Sequence, residues 1–121
     1  MLKVGNMAPD FEASIDAGET VRLSTLRGQN VVLYFYPKDD TPGCTQESCD
    51  FRDSHPDFTA ANCLILGVSR DSVRMHDNFR SKYKLPFRLV SDTDGTICES
   101  YAVWVQKKNY GREYMGIQRS T

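Results

Sequence analysis

A continuous apolar run, Val31-Val32-Leu33-Tyr34-Phe35-Tyr36, is closed by Pro37. It is strand-length and does not alternate, so both of its faces must be covered, the pattern of a strand in a parallel sheet with helices on either side. It is also far short of the roughly 20 apolar residues that cross a bilayer, so no membrane span is expected. Cys63-Leu-Ile-Leu-Gly-Val68 is a second run of the same kind. Between the two, Cys44 to about Asp53 has helix-compatible composition, introduced by Pro42 and Gly43. Asp71 to Tyr83 predicts a second helix, with Val73, His76, Phe79 and Tyr83 on one face. Strand, helix, strand, helix is the order of an α/β domain, and the run from Asn30 to Tyr36 is expected at the centre of its sheet.

The remaining segments fit around that unit. Phe11–Ile15 and Thr20–Leu23 alternate on either side of the turn residues Asp16–Glu19 and predict an N-terminal hairpin. Phe87–Val90 reads as a short strand, Asp94 to about Val103 as a helix, and Tyr114–Ile117 as the opening of a further strand with nothing after it to pair with. With 121 residues and no repeat or linker, the chain is read as a single domain over residues 1–121. Lys+Arg is 15 against Asp+Glu 16, so no overall field draws the chain to nucleic acid or a membrane surface. Arg80, Lys82, Lys84 and Arg88, interleaved with Tyr83, Leu85 and Phe87, read as the solvated face of a helix and its exit. Trp104 and the tyrosines show no stacking pattern for bases. The first residues lack the character of a signal or transit peptide, and a cytoplasmic location is expected.

Four cysteines, Cys44, Cys49, Cys63 and Cys98, then need a purpose, since a reducing compartment disfavours a structural disulfide framework. Cys44 stands where a buried strand hands over to a helix. Unpaired N–H donors and the partial positive charge of a helix start stabilise a thiolate, which is the nucleophilic form. Full ionisation raises the reactive fraction by roughly thirtyfold at most, about 2 kcal/mol, so fast chemistry also needs fixed donors for the charge developing on the leaving atom. Thr41 offers a hydroxyl three residues earlier, and Gly43 allows close approach to the backbone. Cys63 and Cys98 read as packing residues, His55 as a surface residue at the end of the first helix, and His76 as a satisfied, partly buried histidine. Two other uses of the thiols stay open on the residues alone. One is a zinc-binding module built from Cys44-x4-Cys49 with Cys98 or His76, although a second pair at such spacing is missing. The other is a thiol-disulfide exchange module, which ordinarily uses Cys-x2-Cys.

Pro37-x3-Thr41-x2-Cys44 is similar to the active-site signature of the peroxiredoxins. The longer string from Tyr34 to Cys49, Tyr-Phe-Tyr-Pro-Lys-Asp-Asp-Thr-Pro-Gly-Cys-Thr-Gln-Glu-Ser-Cys, resembles their bacterioferritin-comigratory (Q-type) subfamily, as do Gly67–Ser72 and Gly116–Thr121. This resemblance implies a thioredoxin-like fold: a central mixed sheet flanked by helices, with an N-terminal β-hairpin. It implies a thiol-specific peroxidase, an antioxidant enzyme acting on hydrogen peroxide and alkyl hydroperoxides without cofactor or metal. Cys44 would be the peroxidatic thiol and pass through a sulfenic acid. Thr41 and the Cys44 N–H would orient the peroxide, Pro37 would shield the thiolate, and Arg119 would hold thiolate and peroxide together. Glu47 would fix that arginine, and Gly43 would leave room beside it. Cys49 would resolve the sulfenic acid as an intramolecular disulfide, reduced in turn by thioredoxin or a glutaredoxin-like partner. Five helical residues separate Cα atoms by about 8.6 Å, whereas a disulfide tolerates about 7 Å, so the helix must unwind locally over residues 42–52. A monomer is the expected state. Members of the subfamily continue beyond the equivalent of Thr121, so the domain is expected to be C-terminally incomplete, with a strand and helix missing.

Overall fold

The computed structural model of the chain describes residues 3–15, 19–26, 28–109 and 111–121. β1 (Glu12–Ile15) and β2 (Thr20–Arg22) form the antiparallel hairpin; of the turn predicted over residues 16–19, residues 16–18 lie outside the described residues. Next come β3 (Asn30–Phe35), α1 (Pro42–Ala60), β4 (Cys63–Ser69), α2 (Val73–Tyr83) and β5 (Arg88–Ser91). A short helix α3 (Thr96–Ser100) and the hairpin β6 (Trp104–Asn109) and β7 (Arg112–Ile117) complete the order. β3, β4 and β5 run parallel, β1 joins β5 antiparallel, and the five-stranded mixed sheet has the order β2-β1-β5-β4-β3.

Alternation along the apolar runs sorts their side chains into two cores, one on each face of the sheet. Tyr34, Tyr36, Ile65 and Leu89 pack with Cys44, Phe79, Leu85 and Phe87 on the face carrying α1 and α2. Phe35, Leu66, Val68 and Val90 point the other way, toward Ile97, Cys98, Val103 and Ile117 of α3 and the second hairpin. Asp92 starts α3 by accepting the N–H groups of Ile97 and Cys98 at 3.0 and 2.8 Å. Ser72 caps α2 in the same way, accepting from the Met75 N–H.

Four expectations are corrected. β3 is an edge strand, not a central one: its faces are covered by the two cores, but a run buried on both faces says nothing about how many strands flank it. α1 does not stop near Asp53 but continues through Pro56 to Ala60, so His55 lies half-buried inside the helix and not at its end. An internal proline costs a helix about 3 kcal/mol. Phe51 and Phe58, on either side of Pro56, both pack on the core and hold the helix together across it. The helix expected over Asp94–Val103 is shorter, Thr96–Ser100. Finally, the strand read at Tyr114–Ile117 does have a partner, which precedes it: β6 pairs Trp104 with Ile117 and Lys107 with Tyr114.

Tyr34 is fully buried, stacks on Phe51 at 4.6 Å and shares a 2.8 Å hydrogen bond with Ser48 of α1. Opposite it in β4, Gly67 leaves the space the ring occupies: a Cβ there would lie 2.7 Å from Leu89 Cδ2 and 2.8 Å from the Tyr34 ring. Gly67→Ala is expected to destabilise the fold by about 1–3 kcal/mol through overpacking, read as a lower urea midpoint. An unchanged midpoint would mean that Tyr34 and Leu89 have room to move.

Candidate active site

The site forms where β3 ends. The Tyr36 N–H still donates to Val68 O at 3.1 Å, and Pro37 then leads the chain out of the sheet as an exposed residue. Thr41 is the N-cap of α1, extended at φ −99° and ψ 154°, and its carbonyl accepts the first helical bond from the Thr45 N–H. Pro42 has no N–H, so the donors of Gly43 and Cys44 stand ahead of that bond at the helix start. The Thr41 hydroxyl does not cap the helix; it donates to Lys38 O at 2.9 Å and closes the loop on itself. Asp40 takes a left-handed φ of 57° and is gripped by Lys82 Nζ at 2.7 Å and the Tyr83 hydroxyl at 2.8 Å. The Lys82 hydrogen bond, then that from Tyr83, holds the Asp40 carboxyl below its ordinary range.

Cys44 is the third residue of α1 and is 1% exposed. Two backbone hydrogen bonds bring the distant end of the chain to it: Phe35 N–H to Ser120 O at 2.7 Å and Ser120 N–H to Phe35 O at 3.2 Å. Arg119, next to that bridge, points Nη2 at the Cys44 sulfur from 3.2 Å and Nη1 at Glu47 Oε1 from 2.6 Å. Cys44 and Glu47 are three apart on one helix and so present to the same side. Partial burial works against the Arg119 charge, but its hydrogen bonds to Cys44 and Glu47 outweigh this and hold the guanidinium above its ordinary value. Gly43 leaves room for the close approach: a Cβ there would lie 3.2 Å from Arg119 Nη2, so the guanidinium would have to give by a few tenths of an ångström.

The structure therefore brings Cys44, Arg119, Glu47 and Gly43 into one contact set, with Thr41 at the adjoining cap. Cys49 is half-buried further along α1, with Arg52 among its charged neighbours, and is a free thiol, as are the other three cysteines. Pro37 lines a separate groove with Arg70, Trp104 and Tyr114. Cys98 is fully buried, and burial, then its bond to Asp92, pushes its thiol far up, as a packing residue requires. The zinc arrangement is not assembled: among the described residues the one cluster of potential ligands is Asp39, Asp71 and His76, which includes no cysteine. Asp39, Asp71 and Ser48 were not singled out from the sequence. The acidic pair Asp39-Asp40 between the apolar run and Cys44 was the available signal, but its partners lie more than thirty positions away. A groove bordered by Gly43, Glu47, Phe51, Phe58 and Arg119 opens beside the guanidinium.

A family model described as AhpC/TSA family matches residues 4–121. The chain is 53% identical over 120 residues to the peroxiredoxin Bcp of Bacillus subtilis, covering 99% of this chain and 76% of that protein. Among solved structures, Xanthomonas campestris peroxiredoxin Q superposes with a TM-score of 0.86 at 46% identity, covering 90% of this chain and 69% of that one. A structure of the X. campestris bacterioferritin comigratory protein, concerned with its alkyl peroxide reduction activity, gives 0.85 at 45% identity over the same shares.

Proposed function

The chain belongs to the AhpC/TSA family and is a peroxiredoxin of thioredoxin-like architecture; on that premise we propose that Cys44 is the thiol that takes oxygen from the peroxide. The observation that carries this reading is the 3.2 Å contact of Arg119 Nη2 with the Cys44 sulfur, in a guanidinium braced by Glu47. The thiolate attacks the terminal oxygen of ROOH, an S–O bond forms as the O–O bond breaks, and ROH leaves after taking a proton. The sulfur, now a sulfenic acid, has been oxidised by two electrons. Negative charge grows on the departing oxygen during this step. Arg119, whose planar fork bonds two acceptors at once, and the free N–H groups of Gly43 and Cys44 stand ready to receive it. The Thr41 hydrogen is committed to Lys38 O, so toward the peroxide its oxygen acts as an acceptor for the O–H.

The substrates are hydrogen peroxide and alkyl hydroperoxides. Phe51 and Phe58 beside Arg119 offer apolar surface to an organic tail, which supports the second class. Cys49 then condenses with the sulfenic acid, forming the S–S bond and expelling water, and a dithiol of the thioredoxin or glutaredoxin-like kind reduces the disulfide by exchange. Such reductants belong to the cytoplasm, the compartment this chemistry fits. No described helix is long and apolar enough to cross a membrane.

Three measurements test the reading. After one equivalent of hydrogen peroxide the parent should lose two of its four thiols, Cys49→Ser one and Cys44→Ser none; loss of thiols in Cys44→Ser would move the chemistry elsewhere. Arg119→Ala should slow the second-order reaction with peroxide by about 100-fold, the scale for removing one preorganised donor, and an unchanged rate would strip the arginine of its role. Since α1 is continuous from Cys44 to Cys49, amide exchange over residues 42–52 should be faster in the oxidised protein. Equal protection in both redox states would count against Cys49 as the resolving thiol.

A further inference from the structure

Beneath the loop that carries Thr41 lies a group of buried ionisable side chains to which the chemistry above gives no task. His76 is 0% exposed and Asp39 5%. His76 Nε2 lies 3.1 Å from Val90 O, which can only accept, so Nε2 carries a hydrogen. His76 Nδ1 lies 2.6 Å from Asp39 Oδ2, a spacing that needs one proton between them. The other Asp39 oxygen accepts from the Tyr36 hydroxyl at 2.5 Å. The Asp39 N–H donates to Asp71 Oδ2, which also accepts from the Ser69 hydroxyl. The end of β3, the loop, β4, α2 and β5 are therefore linked through one chain of contacts: Tyr36 and His76 on the Asp39 carboxylate, Val90 O on His76, and the Asp39 N–H and Ser69 hydroxyl on Asp71. A buried hydrogen-bonded pair of this kind adds little stability beyond what apolar side chains of the same volume would supply, which leaves its geometry as the feature to explain.

We infer that His76 and Asp39 are a positioning pair that holds the Pro37–Thr41 loop, and with it the Thr41 oxygen and the first turn of α1, where the peroxide reaction of Cys44 needs them. This rests on Cys44 being the peroxide-reactive thiol. Asp39 turns inward to His76, whereas Asp40, turned by its left-handed backbone, grips Lys82 and Tyr83 two turns further along the same helix. Two consecutive loop residues thus clasp α2 from inside and outside, and Thr41 is the next residue in the chain. Side-chain grips and one short internal bond, Thr41 Oγ1 to Lys38 O, are what set this loop. Losing the inner grip lets the loop shift. Displacements of about 1 Å in a positioned group can cost up to 100-fold in rate without removing any reacting atom.

The test compares two reactions of the same sulfur in reduced protein. The first is the second-order rate with hydrogen peroxide. The second is alkylation of the Cys44 peptide by iodoacetamide, which needs a thiolate but no aligned peroxide. His76→Ala is expected to slow the peroxide reaction by at least about tenfold and to change alkylation by less than about threefold. Asp39→Asn should keep most of the parent's peroxide rate, because its amide N–H can donate to a neutral Nδ1 while its oxygen still accepts from Tyr36. If His76→Ala does not fold, His76→Gln, which keeps much of the volume and one donor, is read in the same way. An unchanged peroxide rate overturns the inference. So does an equal loss of both reactions, or faster alkylation, because each marks general loosening of the fold. Asp39→Asn falling as far as His76→Ala also overturns it, by showing that charge and not placement matters. A parent protein that does not react with peroxide at Cys44 is a different failure: it sinks the peroxidase reading itself, and this inference with it.

Discussion

The pair of backbone hydrogen bonds between Phe35 and Ser120 is the contact on which the site depends. Without it, an arginine 75 positions away in sequence would have no reason to lie against Cys44. The bridge is possible because β3 is an edge strand whose last residue still offers both backbone groups on its outer side. An unpaired edge is ordinarily a liability. Here part of it is occupied by the chain's own return, and the occupant brings a permanent cation to the sulfur.

The sheet makes that meeting reproducible. One core anchors α1 through Tyr34, Phe51 and Phe58, so the start of the helix is carried on a rigid base. The other core buries Val103 and Ile117, next to the strands that lead the chain back toward Phe35. The sulfur and the arginine are thus delivered from opposite faces of one sheet and converge at its edge. Glu47 and Gly43 complete the fit: one anchors the guanidinium electrostatically, and the other leaves the gap that it fills.

Much of this is legible in the sequence. The two apolar runs, the amphipathic α2 with its inward His76 and Phe79, and the N-terminal hairpin all follow from periodicity and turn chemistry acting over a few residues. The misreadings have a common origin in long-range packing. Trp104–Asn109 carries two lysines and alternates weakly, and it becomes a strand only because β7 lies beside it. α1 passes through Pro56 because aromatic burial on both sides outweighs a lost local hydrogen bond. The position of β3 in the sheet was likewise beyond local pattern, since helices and hairpins can cover a strand's faces at an edge as well as at the centre.

From the residues alone came the chemistry: a thiol at a strand-to-helix junction with Thr41, Pro42 and Gly43 ahead of it, because those spacings are short and helix geometry places them without help. Tertiary structure alone decided which charged groups surround that thiol. Arg119 and Glu47, and His76, Asp39 and Asp71, are joined across 72, 37 and 32 positions. Contacts over such separations are chosen by how the whole core packs, not by any local preference of the chain.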